Sequence, residues 1–322
     1  MSGILVVQEA RKDGNTRAFQ ETLAAGRVLA GYTGLEIEAA GVGDSNSNLF
    51  AEFIGPPPAA AHAIEHPLLS RYTSDGYVLA FEQLIRKLQP AYAVFPHSYQ
   101  ARDFVPRLAT RFSQALISDV TAIESGPAFV RQLFQGKMNA VYRHPGGGPC
   151  FVSIQSGAFR PDGTSGGVTT IDHFTPEIDA AQIRTRPGDP FRASAQTVDL
   201  GSAQRIVGVG RGIKDAANLP LVQDLASALG AELAASRPIC DNGWLPMERQ
   251  VGSSGQTVAP KLYVAAGISG AIQHLVGIKG SQCIVAINKD RDAPIFEVAD
   301  YGIAGDLFEV LPALTAAVKK AK

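Results

Sequence analysis

Cysteine, net charge and long apolar runs are all scarce in this sequence, and each scarcity excludes a class of protein. The three cysteines, Cys150, Cys240 and Cys283, lie far apart and form none of the paired spacings used for zinc, iron–sulfur clusters or redox disulfides. The 29 basic and 30 acidic residues leave a net charge of −1, so charge gives no reason to expect a nucleic acid or an anionic membrane as partner. No apolar run approaches the roughly 18 residues that a membrane span needs, and no basic, apolar leader precedes the first apolar run. We therefore expect a cytoplasmic protein that is not embedded in a membrane.

Length and composition predict two folded domains. The chain has 322 residues, of which 45% are hydrophobic and 18% charged, and this is too long for one typical core. Residues 175–204 are rich in Pro, Arg, Asp and Ser and lack sustained periodicity, as expected of a domain boundary. We place the first domain at residues 1–190 and the second at residues 191–322.

The first part of the chain alternates apolar runs with helical periods, which predicts an α/β domain. Strands are predicted at 4–7, 35–39 and 92–95, and helices at 17–30, 78–88 and 105–112. From residue 119 the period changes, and four short runs predict hairpins added to the edge of the domain, at 120–123, 128–133, 139–142 and 150–154. The Asp75-Gly76 pair is predicted to cap the second helix.

A polar segment at residues 96–103 follows one of these strands. In an open α/β sheet such a segment lies at the carboxyl ends of strands, where ligands bind, so His97, Arg102 and Asp103 are candidate ligand contacts. An ordinary solvated loop capped by Asp103 is the favoured interpretation, because one polar loop is weak evidence of a site.

The second domain begins with a glycine-rich loop after an apolar strand at Arg205–Val209. Glycines at alternate positions in Gly208-Val-Gly-Arg-Gly212 let a backbone approach a pyrophosphate, and Arg211 offers a charged fork to its oxygens. Asn218 is predicted to cap the following helix, which Gly230 ends. The next strand ends at Ser236-Arg237 without the acidic residue typical of NAD sites, so NADP stays open as the ligand.

A strand, a glycine turn and a new helix are predicted between residues 262 and 274. Gly267 permits a turn, and Ser269 is predicted to cap a helix that begins at Gly270 or Ala271. Gln273 and His274 then lie in the first turns, where they reach a nucleotide ligand. Two further strands are predicted at 282–287 and 294–298.

The second domain resembles the alpha subunit of electron transfer flavoprotein in the order and spacing of its sequence motifs over residues 205–314. The matching segments are Ser236-Arg237, Gln250-Val-Gly-Ser-Ser-Gly255, Ala259-Pro-Lys-Leu-Tyr263, Gly267-Ile-Ser-Gly-Ala-Ile-Gln-His274, Ile284-Val-Ala-Ile-Asn-Lys-Asp290, Ala293-Pro-Ile-Phe296 and Ala299-Asp-Tyr-Gly302. The resemblance implies an N-terminal nucleotide-hydrolase-like α/β domain with added β hairpins, which docks the partner subunit. It also implies a C-terminal doubly wound, Rossmann-like parallel sheet that binds one FAD.

The resemblance also implies which residues bind FAD. Arg211 and Ser236 would face the diphosphate, and Arg237 the flavin ring. Residues lining the isoalloxazine and ribityl portions would be Val251, Gly252, Ser253, Ser254, Ser269, Gly270, Ala271, Ile272, Gln273 and His274; residues holding the adenosine end would be Asn288, Asp306 and Leu307. Of these, Arg237, Ser254 and His274 would tune the flavin, with Arg237 and His274 favouring negative charge on the ring. Many members carry Gln-Thr where this chain has Ser253-Ser254.

The function implied is that of an electron carrier rather than an enzyme. It would form a heterodimer with a beta subunit, accept electrons from flavoprotein dehydrogenases and pass them to a quinone oxidoreductase. No catalytic residue or metal site is predicted, since electron transfer needs neither a nucleophile nor an acid–base pair. Two alternatives stay open: an NADP-dependent oxidoreductase, and a nucleotide-binding regulatory subunit. The dehydrogenase partner, and whether the beta subunit holds AMP or a second FAD, are not encoded in this chain.

Overall fold

The computed structural model describes residues 3–9, 17–43, 50, 53–134, 136–161, 163, 166–167, 169–188, 200–201 and 203–321. The chain divides into two compact units, residues 1–190 and residues 191–322. Within the described residues, no helix has the length and apolar character that crossing a membrane requires.

The N-terminal unit is a mostly parallel sheet with helices on both faces. Its elements are β1 (Ile4–Gln8), α1 (Arg17–Thr33), β2 (Ile37–Val42), β3 (Ala60–Ile64), α2 (Ser74–Leu88), β4 (Tyr92–Pro96), α3 (Tyr99–Arg111), β5 (Leu116–Glu124), β6 (Ala128–Leu133), β7 (Met138–Tyr142), β8 (Cys150–Ile154) and β9 (Ile171–Phe174). The strand order in the described part of the chain is β7-β6-β5-β8-β4-β1-β2-β3-β9. Among these described strands, the β5–β6 and β6–β7 pairs are antiparallel and the other pairs are parallel.

Two core layers lie on opposite faces of this sheet. Alternate side chains of β1 point to opposite faces, so Ile4 joins the layer under α1 and Leu5 joins the layer under α2 and α3. Each layer is rich in aromatic rings, such as Phe19 below α1 and Phe81 below α2. Burial on both faces explains why β1 reads as a continuous apolar run rather than an alternating one.

The prediction that residues 150–154 form an edge hairpin is wrong. β5, β6 and β7 do form an antiparallel meander at the edge, but β8 lies inside the sheet, parallel to both β4 and β5. All five residues of β8 are buried, which gives it the apolar composition of a central strand. Two strands were not predicted, β3 because it is mostly alanine and β9 because its residues are largely exposed.

Two helix starts also differ from the prediction. Thr73, not Asp75-Gly76, caps α2, because its Oγ1 accepts a hydrogen bond from the N–H of Gly76 at 3.2 Å. Ser98 caps α3 through a 3.0 Å bond from the N–H of Ala101 to its Oγ. The helix therefore begins at Tyr99 and contains Pro106 in its interior, a residue that normally indicates a helix start.

Part of the predicted boundary segment packs on the N-terminal unit. Gln83 on α2 makes two hydrogen bonds with the backbone of Glu177, at 2.8 and 2.9 Å. Asp75 accepts bonds from the N–H, Nε and Nη2 of Arg184, at 3.0, 3.2 and 2.8 Å, and from Arg107. We call residues 177–187 the return segment. Its backbone and side chains are thus fixed to α2 rather than left as a linker.

The C-terminal unit is a parallel sheet between helices. Its elements are β10 (Arg205–Val209), α4 (Leu219–Leu229), β11 (Glu232–Ala235), α5 (Arg237–Asp241), β12 (Leu262–Ala266), α6 (Ile272–Ile278), β13 (Ile284–Asn288), β14 (Tyr301–Ala304) and α7 (Leu307–Ala321). The strand order is β11-β10-β12-β13-β14, and every pair is parallel. The predicted doubly wound α/β fold is confirmed.

Residues 294–298 were predicted as a strand, and this is wrong. They form a 3-10 helix that begins with Pro294 and buries Ile295. The fifth strand is β14, which pairs with β13 through Val285 and Tyr301. All four residues of β14 are exposed at the sheet edge, so the apolar signal of a buried strand is missing there.

Two predicted caps in this unit lack the expected side-chain bond. Asn218 occupies the predicted N-cap position of α4, but its side chain does not cap the helix; its Nδ2 donates to the carbonyl of Ile213 at 3.0 Å instead. Ser269 does not cap α6, which begins at Ile272 without a side-chain cap. Gly270 lies between Ser269 and α6 in a left-handed conformation, with φ of 85°, so the backbone is not helical at this position.

Candidate functional site

Most of the predicted site residues lie at one edge of the C-terminal sheet. Because the five strands are parallel, their carboxyl ends share an edge, which is where ligands of open α/β sheets bind. The residues that follow or end these strands are Arg211 after β10, Ser236 and Arg237 after β11, Ser269 to His274 after β12, Asn288 at the end of β13, and Asp306 and Leu307 after β14.

The turn at residues 250–254 joins this edge through its backbone. The N–H of Val251 donates to the carbonyl of Ala235 at 2.9 Å, and the N–H of Ser253 donates to the carbonyl of Gln273 at 2.7 Å. Gly252 has φ of 144°, and a Cβ there would lie 2.9 Å from the Gln273 carbonyl oxygen. The absence of a side chain therefore lets this turn rest on the start of α6, and brings together two segments about 20 residues apart.

The glycine-rich loop after β10 packs against the turn after β12. A Cβ at Gly210 would lie 2.3 Å from the carbonyl oxygen of Gly267, and one at Gly212 would lie 2.7 Å from the Gly267 Cα. The N–H of Gly212 also donates to that carbonyl at 3.0 Å. Close internal packing thus accounts for these glycines. They no longer argue for a pyrophosphate between the loops, and the NADP alternative loses its main support.

His274 is buried and paired with a strand residue. Its Nε2 lies 3.0 Å from the hydroxyl of Tyr263, while its Nδ1 has no hydrogen-bond partner of standard geometry among the described residues. Burial lowers the pKa of His274 to about 4, although the backbone of Val251 opposes part of this shift. The ring is therefore neutral near pH 7.

Gln250 holds the hydroxyl of Ser254. Its side chain is 1% exposed, and Nε2 donates to Ser254 Oγ at 3.0 Å. The Oε1 atom of Gln250 is buried without a partner among the residues that the structure describes. Since the Gln250 amide supplies one hydrogen to the Ser254 oxygen, the hydroxyl hydrogen of Ser254 is left to donate elsewhere.

Arg211 and Arg237 are the two basic residues at this edge that the sequence assigned to FAD. Arg237 Nε contacts Asp241 at 3.3 Å, but these side chains are 68% and 51% exposed, so the pair is weak. The guanidinium of Arg211 is exposed and makes no ion pair within the described ranges. Both side chains are available to an anionic ligand. Ser236, which immediately precedes Arg237, is buried, and its hydroxyl does not cap α5.

The side chains of Asn288, Asp306 and Leu307 have structural roles. Asn288 Nδ2 donates to the carbonyl of Ile268 at 3.0 Å, and its Oδ1 accepts from the N–H of Asp290 at 3.0 Å. Asp306 Oδ1 caps α7 by accepting from the N–H of Phe308 at 2.8 Å. Leu307 is buried in the core. For a ligand these residues leave backbone groups and the second carboxylate oxygen of Asp306.

Two family models match the chain. The electron transfer flavoprotein domain matches residues 4–182, and the electron transfer flavoprotein FAD-binding domain matches residues 199–279. The electron transfer flavoprotein subunit alpha of Thermoanaerobacterium thermosaccharolyticum is 38% identical over 310 residues, which is 94% of this chain and 93% of that protein. The chain belongs to the electron transfer flavoprotein alpha-subunit family.

Other relatives extend over the same length. The electron transfer flavoprotein subunit alpha of Bacillus subtilis is 36% identical over 326 residues, 98% of this chain and 97% of that protein. Protein FixB of Clostridium saccharobutylicum is 33% identical over 329 residues, with coverage of 99% and 96%. The family resemblance and FAD as cofactor, both predicted from the sequence, are confirmed.

The residues at the sheet edge fit FAD. An isoalloxazine ring carries carbonyl oxygens and ring nitrogens that accept hydrogen bonds, and an N–H that donates one. The buried atoms without partners in the described part of the chain include His274 Nδ1 and Gln250 Oε1. They lie on the two segments that the Gly252 contact brings together. Next to them Ser269, Ala271 and Gln273 are exposed, and Ile272 is 44% exposed.

Sequence reasoning missed Gln250 and Tyr263 as members of this site. Both stand inside the quoted motifs, but neither was assigned a role. Tyr263 reads as an apolar residue of a buried strand, and its partner His274 is 11 positions away. The one signal in the sequence was the hydroxyl of Tyr263, a polar group between the apolar residues Leu262 and Val264.

Proposed function

We propose that this chain is the FAD-carrying subunit of a heterodimeric electron transfer flavoprotein. It accepts electrons from flavoprotein dehydrogenases and passes them to a quinone oxidoreductase, with a beta subunit as its permanent partner. It performs no substrate chemistry of its own. The observation that carries this proposal is the convergence of Ser254, Gln273 and His274 on the domain that matches the FAD-binding family model. Two buried polar atoms there have no partner of standard geometry among the residues that the structure describes.

FAD supplies the one- and two-electron chemistry when bound, and the chain's residues position it. In our proposal Arg211 and Ser236 hold the diphosphate, and Arg237 lies beside the ring. Residues 251–254 and 269–274 line the isoalloxazine and ribityl portions. The backbone around Asn288, Asp306 and Leu307 holds the adenosine end.

The N-terminal unit supplies the docking surface for the beta subunit in this proposal. Its outer hairpin exposes Phe134, Met138 and Val141 by 71%, 56% and 54%, and interface centres are enriched in such aromatic and methionine side chains. Met138→Glu is expected to weaken heterodimer formation at least tenfold, measured by titration calorimetry. Lys137→Glu is the control, because Lys137 lies on the same hairpin but is already a polar residue in the unaltered chain. Equal affinity for both variants and the unaltered chain would remove this hairpin from the interface.

Co-purification with a beta subunit tests the cofactor and the class together. We expect a yellow complex that releases one FAD per alpha chain on denaturation and accepts electrons from a flavoprotein dehydrogenase. A colourless complex that binds NADP would favour the oxidoreductase alternative. A bound nucleotide without flavin would favour the regulatory alternative.

Two arginine variants test the assigned roles. Arg211→Ala is expected to weaken FAD binding about tenfold through loss of a charged contact, with little change in the midpoint potential. Arg237→Ala is expected to lower that potential, because a positive charge beside the ring is lost. Arg205→Ala is the matched control, since Arg205 is exposed at the opposite end of β10. If all three variants behave alike, the arginine assignments are wrong.

A further inference from the structure

Tyr263 and His274 form a buried polar pair in the C-terminal unit. The Tyr263 side chain is 0% exposed and His274 is 6% exposed. The phenol oxygen lies 3.0 Å from Nε2, and the rings are inclined by 57°. No other hydrogen-bond partner reaches the Tyr263 hydroxyl within the described residues. A strand residue and a helix residue are therefore joined by one polar contact in an apolar core.

Gly208 makes the room for this hydroxyl. It lies on β10 beside β12, and a Cβ at this position would come within 2.1 Å of the Tyr263 oxygen and 2.6 Å of its Cζ. Both atoms belong to a rigid ring in a fully buried position, which has little freedom to move aside. The absence of a side chain at Gly208 thus fixes where the phenol oxygen lies, and with it the edge of the His274 ring that it meets.

The protons of this pair can be arranged in two ways. If the phenol donates to Nε2, the imidazole hydrogen is on Nδ1, which lies near the Val251 backbone but makes no hydrogen bond of standard geometry within the described residues. If Nε2–H donates to the phenol oxygen, both the phenol hydrogen and the Nδ1 lone pair are left unsatisfied. Each buried unpaired polar group carries a penalty, so the first arrangement is favoured by about 10- to 100-fold.

We propose that Tyr263 is a positioning residue that holds His274 in its neutral form with the proton on Nδ1, ready to donate a hydrogen bond to the flavin ring. The proposal rests on the proposed function only for the identity of the acceptor, a carbonyl oxygen or ring nitrogen of FAD. A neutral donor stabilises added electron density on that acceptor without placing a second charge beside Arg237. Burial acts in the same sense, because it raises the pKa of Tyr263 and lowers that of His274.

The test uses the FAD-containing heterodimer labelled with ¹⁵N-histidine. The protein has six histidines, and the spectrum of His274→Gln identifies the His274 signals by their absence. In the unaltered protein we expect a protonated Nδ1 and an unprotonated Nε2. Tyr263→Phe removes only the hydroxyl, so we expect a mixture of the two forms. A tenfold loss of the donor form would lower the FAD midpoint potential by about 30 mV for a two-electron couple.

Tyr77→Phe is the matched control, because Tyr77 is 2% exposed in the N-terminal unit. It should leave both the His274 signals and the potential unchanged. A proton on Nε2 in the unaltered protein overturns the proposal; the tautomer itself is read in the unaltered protein, and His274→Gln serves only to assign the signals. The same tautomer and potential in Tyr263→Phe as in the unaltered protein also overturn it. Absence of FAD from the complex would instead refute the proposed function, while the tautomer is still read from the chain.

Discussion

Replacing Asp75 by Asn is expected to loosen the return segment at residues 177–187. The Asp75 carboxylate is 8% exposed, and its partners Arg107 and Arg184 are 40% and 73% exposed. Hydrogen bonds to a buried charge contribute about 1.5–3 kcal/mol each, but water screens the exposed guanidiniums. We therefore expect a loss of about 2–3 kcal/mol, which corresponds to roughly 30- to 150-fold more frequent opening.

Hydrogen exchange measured by mass spectrometry at pH 7 reads this opening in peptides from the return segment. The N–H of Arg184 is a direct reporter, since it donates to Asp75. Glu82→Gln is the control on the same helix, because the partners of Glu82, Arg86 and Arg111, are 56% and 54% exposed and such exposed pairs contribute at most about 1 kcal/mol. Unchanged exchange in the Asp75 variant would refute the reasoning that this carboxylate fixes the segment.

The pH dependence of the same contact follows from the pKa of Asp75. The guanidiniums of Arg184 and then Arg107 hold this pKa well below its usual range. A lowered carboxyl pKa gives stability that is complete above the unfolded value of about 3.9 and is lost as the pH falls below it. The exchange experiment at pH 7 therefore measures the full contribution.

Three further predictions concern the C-terminal unit. Because the pKa of His274 is lowered to about 4, the FAD-free chain should lose about 3 kcal/mol of stability as the pH falls from about 6.5 to 4. Urea unfolding of His274→Gln across this range should show a smaller loss. Gly210→Ala should lower the free energy of unfolding in urea by about 2–3 kcal/mol, because the added Cβ meets backbone atoms. Gly188→Ala should change it little, because a Cβ there has no neighbour within 4 Å. Equal losses in the two variants would contradict the packing argument. Ser254→Ala should lower the FAD midpoint potential by about 30 mV for each tenfold loss of hydrogen-bond donation to the flavin. Ser254→Thr keeps a hydroxyl and should keep the potential of the unaltered protein. An unchanged potential in the Ala variant would exclude contact with the ring.

The local hydrophobic pattern was sufficient to predict strands whose own residues are apolar throughout. β1, β10 and β12 are continuous apolar runs because both faces of each parallel strand are covered, and this is visible in sequence. The parallel arrangement then places residues such as Ser236 at the ligand edge without further information. The position of β8 was not predictable in this way, because its neighbours β4 and β5 are chosen by long-range pairing.

Other failures have the same physical origin. Residues 294–298 contain Phe296 and Val298, which favour strands, yet Pro294 and the tertiary contact at Gly270 direct them into a 3-10 helix. The sequence shows His274 as a titratable ring, but its neutral state depends on burial, which lowers its pKa and which the sequence alone does not show. For the glycines after β10, the pattern matched a phosphate loop, whereas the structure explains them by contact with Gly267.

The contacts of Gly252 and Gly267 have a consequence for the thermodynamics of cofactor uptake. Gly252 meets the backbone of Gln273 at the start of α6, and Gly267 meets the backbone of Gly212 as well as the side chain of Leu307. The backbone part of this wall has no rotamers to immobilise, and each rotamer-rich side chain avoided saves about 0.5–1.5 kcal/mol of ordering cost. In the proposed site, FAD would therefore meet backbone that already has its binding shape. Differences in affinity among variants of this wall should appear mainly in how slowly the cofactor leaves.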